Sequence, residues 1–144
     1  MTQDYEEYPH LFLVGVILFN DEDYFEAHEV WEDLWSESTG TAHKFVQGLI
    51  QMAVGLCHFY NGNLRGALKL YHTSREYLEV CGSSFWGLDL ERFLHQHQRC
   101  HQKLLEADAL PTDLEPDEDL LPKIDLRPPP LDWPDADPYR DEHD

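Results

Sequence analysis

The chain has 144 residues, of which 29 are acidic and 10 are Lys or Arg, and its formal net charge is −19. This length is enough for one hydrophobic core, whereas so strong a negative charge repels nucleic-acid phosphates and anionic membrane surfaces. We therefore expect no nucleic acid and no membrane as a partner, and the acidic surface serves either solubility or a basic partner.

Cysteine usage and hydropathy predict a cytoplasmic protein. The three cysteines are an odd number without CxxC spacing, which argues against a disulfide framework or a zinc knuckle and fits a reducing compartment. The apolar run at residues 11–19 is nine residues long and follows acidic rather than basic residues. It suits neither a membrane span nor a signal peptide.

Turn and cap signals predict five helices before residue 111. Pro9 suits the first turn of the first helix, and Asn20 and Asp21 are good N-caps for the second. The sequence at 61–63 ends the third helix and caps the fourth, and Asp89 caps the fifth. The helices are expected over about 9–19, from the cap at 20–21 to about 36, over about 41–60 and 64–80, and from the cap at 89 to about 110. No segment in this region has the alternating period of a strand. The fold class is therefore all-α, a single compact bundle.

The third helix is expected to be buried at the centre of the bundle. Its residues are apolar nearly all round except for one narrow polar seam, whose members fall within about 60° of one another by the helical period. Gly48 and Gly55 lie beside this seam, and since a mid-helix glycine costs about 1 kcal/mol relative to alanine, we expect another helix to approach closely there. The seam consists of Lys44, Gln47, Gln51 and His58.

The second helix carries His28 and Glu32 one turn apart within its apolar face. Because an ionised carboxylate is costly to bury alone, Glu32 is expected to be paired, and the short loop at 36–40 makes the seam of the third helix its natural neighbour. Glu26 and Glu29 are expected on the polar side of the second helix, while Tyr24, Trp31 and Trp35 offer apolar contact area along a groove. The predicted polar cluster is Glu26, His28, Glu29, Glu32, Lys44, Gln47, Gln51 and His58.

Three motifs, YFEAHEVWE, QGLIQ and GNLRGA, occur in this order along the chain. Over roughly residues 15–68 the sequence resembles the family called domain of unknown function 309. The resemblance implies a compact helical bundle without an assigned activity. One departure is Lys44, where the family favours arginine, whose fork-shaped contact to a carboxylate lysine cannot reproduce. The family's polar signature falls on Glu26, His28, Glu29, Glu32, Gln47, Gln51, His58, Asn63 and Gly66.

The polar cluster admits three interpretations. The plainest is a buried hydrogen-bond network that fixes helix packing. A divalent metal site would use His28, Glu32 and His58, because i, i+4 spacing aims two ligands at one point, although HEVWE has glutamate where the zinc-protease motif HExxH has its second histidine. Acid–base catalysis by Glu32 beside His28 would need a nucleophile or an oxyanion device that the sequence does not offer. Catalytic residues are therefore unassigned, and no cofactor is firmly expected.

Two further segments stand apart from this cluster. On the fifth helix, His97 and His101 continue an apolar line and are expected to be packing residues rather than ligands, while His95 points elsewhere. Residues 111–144 contain eight of the nine prolines. They are expected to form an extended acidic arm, separate from the helical domain 1–110, whose first half lies on the bundle and whose acidic end is free. The alternatives are a polyproline-type ligand for a partner domain and disorder.

The sequence favours a non-enzymatic binding or adaptor module, which receives a protein segment or small ligand near the second and third helices. The alternative is a metal-dependent, hydrolase-like enzyme that uses His28, Glu32 and His58. The residues specify neither the identity of the ligand nor the oligomeric state.

Overall fold

A computed structural model describes residues 8–140 of the chain. It confirms the all-α class, and none of the helices within this range is long and apolar enough to cross a membrane. A minimal antiparallel hairpin links the fourth helix to the fifth. The elements are α1 His10–Asn20, α2 Tyr24–Glu37, α3 Gly40–Tyr60, α4 Leu64–Glu79, β1 Ser84–Phe85, β2 Leu88–Asp89, α5 Leu90–Cys100 and α6 Gln102–Glu106.

The packing of α1 against α2 depends on one glycine. The indole of Trp31 lies directly on Gly15 of α1, at a place where any Cβ would overlap the ring. Its Nε1 donates a hydrogen bond to the carbonyl oxygen of Phe12 at 3.4 Å. Trp31 is fully buried, so its fit into α1 sets how α2 is rotated about its own axis.

Helix α3 occupies the centre, with α2 on one side and α4 on the other. The expected close approach at its two glycines is confirmed, and the neighbour is α4. A Cβ on Gly48 would lie 2.6 Å from Leu78 Cγ, and a Cβ on Gly55 would lie 3.2 Å from Leu70 Cβ. The glycines therefore remove side chains where α3 and α4 meet.

The last predicted helix is interrupted at His101, so that α5 ends at Cys100 and a short α6 follows. The imidazole Nδ1 of His101 donates to the carbonyl oxygen of His97 at 2.8 Å, and the backbone N–H of His101 reaches the same oxygen at 3.2 Å. A side chain that competes for the helical acceptor four residues earlier weakens the regular ladder. The chain bends there and its helix ends at Glu106 rather than near residue 110.

The segment after residue 111 crosses the bundle as an extended arm with two short 3₁₀ turns. The side chain of Asn20 pairs with the backbone of Ile124, accepting from its N–H at 2.8 Å and donating to its carbonyl at 2.9 Å. Leu121, Ile124 and Leu126 are buried in the core, which confirms that the first half of the arm lies on the bundle.

The far end of the arm also returns to the bundle, contrary to the expectation of a free end. The Arg140 guanidinium pairs with the carboxylates of Asp21 and Asp23 at the start of α2. Between the anchored parts, Leu131 is 74% exposed. The final residues 141–144 lie outside the described part of the chain, and the domain division at residue 110 stays a prediction.

Candidate functional site

Helices α2 and α3 run antiparallel, and contacts at their two ends fix the register. The Trp35 ring stacks on His43 with 4.3 Å between centroids, which pairs the end of α2 with the start of α3. At the other end, the Tyr24 and Tyr60 rings stack with 6.3 Å between centroids, which pairs the start of α2 with the end of α3. His28 and Glu32 are therefore level with the middle of α3.

Glu32 is not buried, so the expectation that it lies within the apolar face is wrong. Its side chain is 58% exposed and its carboxylate lies 3.8 Å from His28 Nε2. The physical reason is the rotation of α2, since Trp31 enters the space above Gly15 and turns the neighbouring positions to the edge of the interface. Glu32 is free to contact a molecule from outside.

His28 lies at the same edge with its side chain 16% exposed. Its Nδ1 is 2.6 Å from the carbonyl oxygen of Phe25, and because a carbonyl can only accept, Nδ1 carries the hydrogen. The other ring nitrogen, Nε2, faces the Glu32 carboxylate at 3.8 Å. Phe25 is 53% exposed and meets the His28 ring edge-on at 4.9 Å between centroids.

Glu26 is more buried than expected, whereas Glu32 is less buried than expected. It was expected on the polar side of α2, yet it is only 9% exposed. The first turn of α2 lies beside the last turns of α3, so this position is covered although its neighbour Glu29 is exposed. A carboxylate in the first turn is favoured by the helix dipole, which offsets part of the cost of burial.

The polar seam of α3 is a partly exposed strip rather than a buried partner of α2. Lys44 is exposed, while Gln47, Gln51 and His58 are half-buried. His58 Nδ1 accepts from the amide nitrogen of Asn63 at 3.1 Å. Within residues 8–140, no hydrogen bond joins these four side chains to α2, so the expected closed network is not formed. We call Gln47, Gln51 and His58 the α3 strip.

Tyr24 and Trp31 are core residues, so the prediction that they offer contact area is wrong. Trp35 is half-buried. The aromatic ring that α2 does present to solvent is Phe25, which is 53% exposed. Phe25, His28 and Glu32 share one helical line. The two polar residues, His28 and Glu32, were therefore the sequence signal that this edge of α2 is exposed to solvent.

Four buried side-chain polar atoms lack partners in the described part of the chain, and two of them belong to Trp35 of α2 and Gln51 of α3. Gln51 Oε1 and Trp35 Nε1 are buried without a hydrogen bond to any described residue. A buried polar atom without a partner costs about 1–3 kcal/mol. One of these atoms is an acceptor and the other a donor.

The predicted metal ligands are not assembled into one group. Across residues 8–140 there is no set of three or more His, Cys, Asp or Glu side chains placed to hold a metal ion. The Nδ1 atoms of His28 and His58 are engaged by Phe25 and Asn63, respectively. The Nε2 atoms of the two imidazoles have no hydrogen bond to another described residue, and that of His28 lies 3.8 Å from the Glu32 carboxylate.

The histidines of α5 are packing residues, as expected. His97 and His101 are 1% exposed, and both rings contact Tyr71, with centroid distances of 4.7 and 4.9 Å. Burial, followed by smaller effects that include the Arg75 charge, lowers the pKa of both imidazoles, that of His101 to about 4. Both rings are therefore neutral at physiological pH.

Comparison with known proteins identifies the class. A family model described as a domain of unknown function, DUF309, matches residues 12–70, which span α1 to the first half of α4. The chain is also similar to YpuF of Bacillus subtilis (strain 168), an uncharacterised protein, with 30% identity over 116 residues that cover 78% of this chain and 67% of the relative. The chain belongs to the DUF309 family, as its motifs indicate.

Proposed function

We propose that this protein is a non-enzymatic binding module of the cytoplasm that receives a basic segment of a partner protein on the exposed edge of α2 beside the α3 strip. The observation that carries the proposal is the unneutralised charge of α2. Residues 21–37 contain eight acidic residues and no Lys or Arg.

Six of the eight acidic residues of this stretch fall into two groups, while Glu26 is buried and Glu32 lies beside His28. Those at 21–23 receive cations from the arm, Lys123 for Glu22 and Arg140 for the other two. Glu29, Asp33 and Glu37 are exposed and have no ion pair within residues 8–140. The molecule thus neutralises one end of α2 and leaves its outer face negative, which attracts a positively charged segment and speeds its association.

An exposed aromatic ring adds specificity to this charge. Phe25 and Glu29 are four residues apart and lie on the same side of α2. An arginine or lysine can place its stem or its cationic head over the ring, an arrangement that contributes about 0.5–1 kcal/mol at an exposed site, while its charge meets Glu29 or Glu32. His28 Nε2 offers a further polar contact at the same edge.

The unpartnered atoms on Gln51 and Trp35 support a peptide rather than a bare cation. Both residues are half-buried rather than fully enclosed. An acceptor and a donor are the groups that pair with the N–H and C=O groups of a polypeptide backbone. Pairing with a bound segment would remove the cost that these atoms carry in the free protein.

A charge-matched pair of variants tests the proposal. The site variant replaces Glu29, Glu32 and Asp33 by Gln, Gln and Asn, and the control makes the same changes at three other exposed acidic residues: Glu76, Glu79 and Asp108. Both lose three negative charges, so a general effect of net charge is the same in each. Partners are recovered by affinity purification from the source cytosol, and binding of the basic segment is then measured by fluorescence anisotropy.

We expect the site variant to bind the segment about tenfold more weakly than the control, since each lost contact is worth a few tenths of a kcal/mol to about 1 kcal/mol. Raising the salt concentration should weaken binding to the wild type more than to the site variant. Equal affinity in the two variants, or enrichment of acidic rather than basic segments, would contradict the proposal.

A further inference from the structure

A cavity of about 470 Å³ lies on the side of the bundle formed by α5, α6 and the arm. This volume is within the range of about 300–1,000 Å³ that is usual for small-molecule sites. None of the residues that line it belongs to α2 or to the α3 strip. The cavity is thus separate from the proposed peptide surface.

The floor of the cavity is apolar. Phe59, at the end of α3, is almost fully buried, and Leu114 and Leu120 of the arm are half-buried around the opening. Apolar surface that remains in contact with water favours a ligand with a hydrocarbon or aromatic body.

The two walls carry opposite charges that do not meet. Arg99 and Lys103, four residues apart, come from the α5–α6 side, and Glu115 and Asp117 come from the arm. Glu106 also lies on the α5–α6 side, where its carboxylate accepts a hydrogen bond from the Gln102 side chain at 2.6 Å, so this wall keeps a net positive charge. No ion pair within 4 Å joins the two walls in the described part of the chain, and no other carboxylate there pairs with either cation. Asp117 accepts a hydrogen bond from the backbone N–H of Asp119 at 3.0 Å, which leaves Glu115 as the freer carboxylate.

Charge complementarity selects the ligand class. A purely anionic amphiphile would be repelled by the arm wall and a purely cationic one by the helix wall. A molecule that carries a carboxylate, an ammonium group and an apolar body satisfies both walls and the floor at once. We propose that this cavity binds an apolar zwitterion of the amino-acid class, with its carboxylate toward Arg99 and Lys103 and its ammonium toward Glu115.

Calorimetric titration of the full chain at neutral pH tests this proposal with L-phenylalanine and L-leucine as probes. Three analogues each lack one feature: 3-phenylpropionate lacks the ammonium, phenethylamine lacks the carboxylate, and glycine lacks the apolar body. We expect saturable one-to-one binding of the two probes with a Kd below about 1 mM, and binding at least about tenfold weaker for each analogue.

Single variants locate the site. Lys103→Gln and Glu115→Gln should each weaken binding about fivefold, the scale of one partly exposed charge contact. Lys69→Gln and Glu76→Gln remove the same charges from exposed positions outside the cavity and should leave the Kd unchanged. Thermal melting of each variant establishes that the fold is retained.

Three results would overturn the proposal. These are a Kd above about 1 mM for both probes, equal affinity for the singly charged analogues, and equal affinity in the cavity variants and their controls. The α2 site variant described above should bind L-phenylalanine as the wild type does, so failure of one proposal does not imply failure of the other.

Discussion

Replacing His101 by phenylalanine should flatten the acid side of the stability curve of this protein. In the folded state burial lowers the pKa of His101 from 6.5 to about 4, whereas in the unfolded chain the imidazole regains its ordinary value. Below pH 6.5 the unfolded state therefore binds a proton that the folded state does not. Stability is lost as the pH falls from about 6.5 to about 4, and is fully present above that window.

The size of the change in unfolding free energy follows from the shift in the pKa of His101. A difference of about 2.5 pKa units corresponds to about 3 kcal/mol at about 1.4 kcal/mol per unit. His97 acts in the same direction, because burial, the His101 ring and the Arg75 guanidinium all lower its pKa. Phenylalanine fits the aromatic surroundings of Phe59 and Tyr71, and the loss of the hydrogen bond to the His97 carbonyl lowers stability by a similar amount at every pH.

Urea denaturation at half-unit steps from pH 7 to pH 4 measures the prediction. The free energy of unfolding of the variant, minus that of the wild type, should rise by about 3 kcal/mol across this window. Titrating carboxylates are common to both proteins and cancel in the difference. A difference that stays constant with pH would refute the reasoning, as would an NMR titration in which the His101 ring of the folded protein becomes protonated near pH 6.5.

Three further predictions concern single positions, each measured by urea denaturation. Gln51→Leu should raise the free energy of unfolding by about 1 kcal/mol, because it removes an unpartnered polar atom; a loss would show that Gln51 is satisfied within the fold. Asn20→Ala should lower it by about 2 kcal/mol and speed amide exchange at Ile124, whereas unchanged exchange would contradict its role as an anchor. Gly15→Ala should cost about 3 kcal/mol through overlap with Trp31, and near-wild-type stability would contradict the described packing.

Local signals were enough to predict most of the helices. Asn63 and Asp89 do act as N-caps, accepting from the backbone N–H groups of Gly66 and Arg92. The apolar circumference of α3 predicted its burial, and its two glycines predicted a close neighbour. Each of these features depends on residues within a few turns of one another, which is the range that sequence patterns report.

The candidate site was predicted less well because it depends on helix rotation. The helical wheel of α2 places His28 and Glu32 within a broad apolar arc, and the sequence does not show that Trp31 enters the gap at Gly15. That contact between different helices decides which edge of the arc meets water. It turned Glu32 outward, while the position of Glu26 followed from how far α3 extends beside it.

The cavity was missed for a related reason. Its walls are separated along the chain, with Arg99 and Lys103 on the helices and Glu115 on the arm, and no periodic pattern joins them. The interruption at His101 also escaped prediction, since it arises from a side chain that bonds to its own helix. Such features follow from tertiary contacts that override local propensity.

The ion pairs of Arg140 with Asp21 and Asp23, at the start of α2, have a consequence for the order in which the chain folds during synthesis. Their partners are separated by 117 positions at Asp23 and 119 at Asp21. A ribosome makes the chain from the N-terminus onward, so α1 to α4 are complete long before this arginine exists. Until then Asp21 and Asp23 lack the counter-cation that pairs with them, whereas Glu22 can already pair with Lys123. Closing so long a loop is a slow step. A residue far along the arm thus completes the charge balance at the start of one of the first helices made.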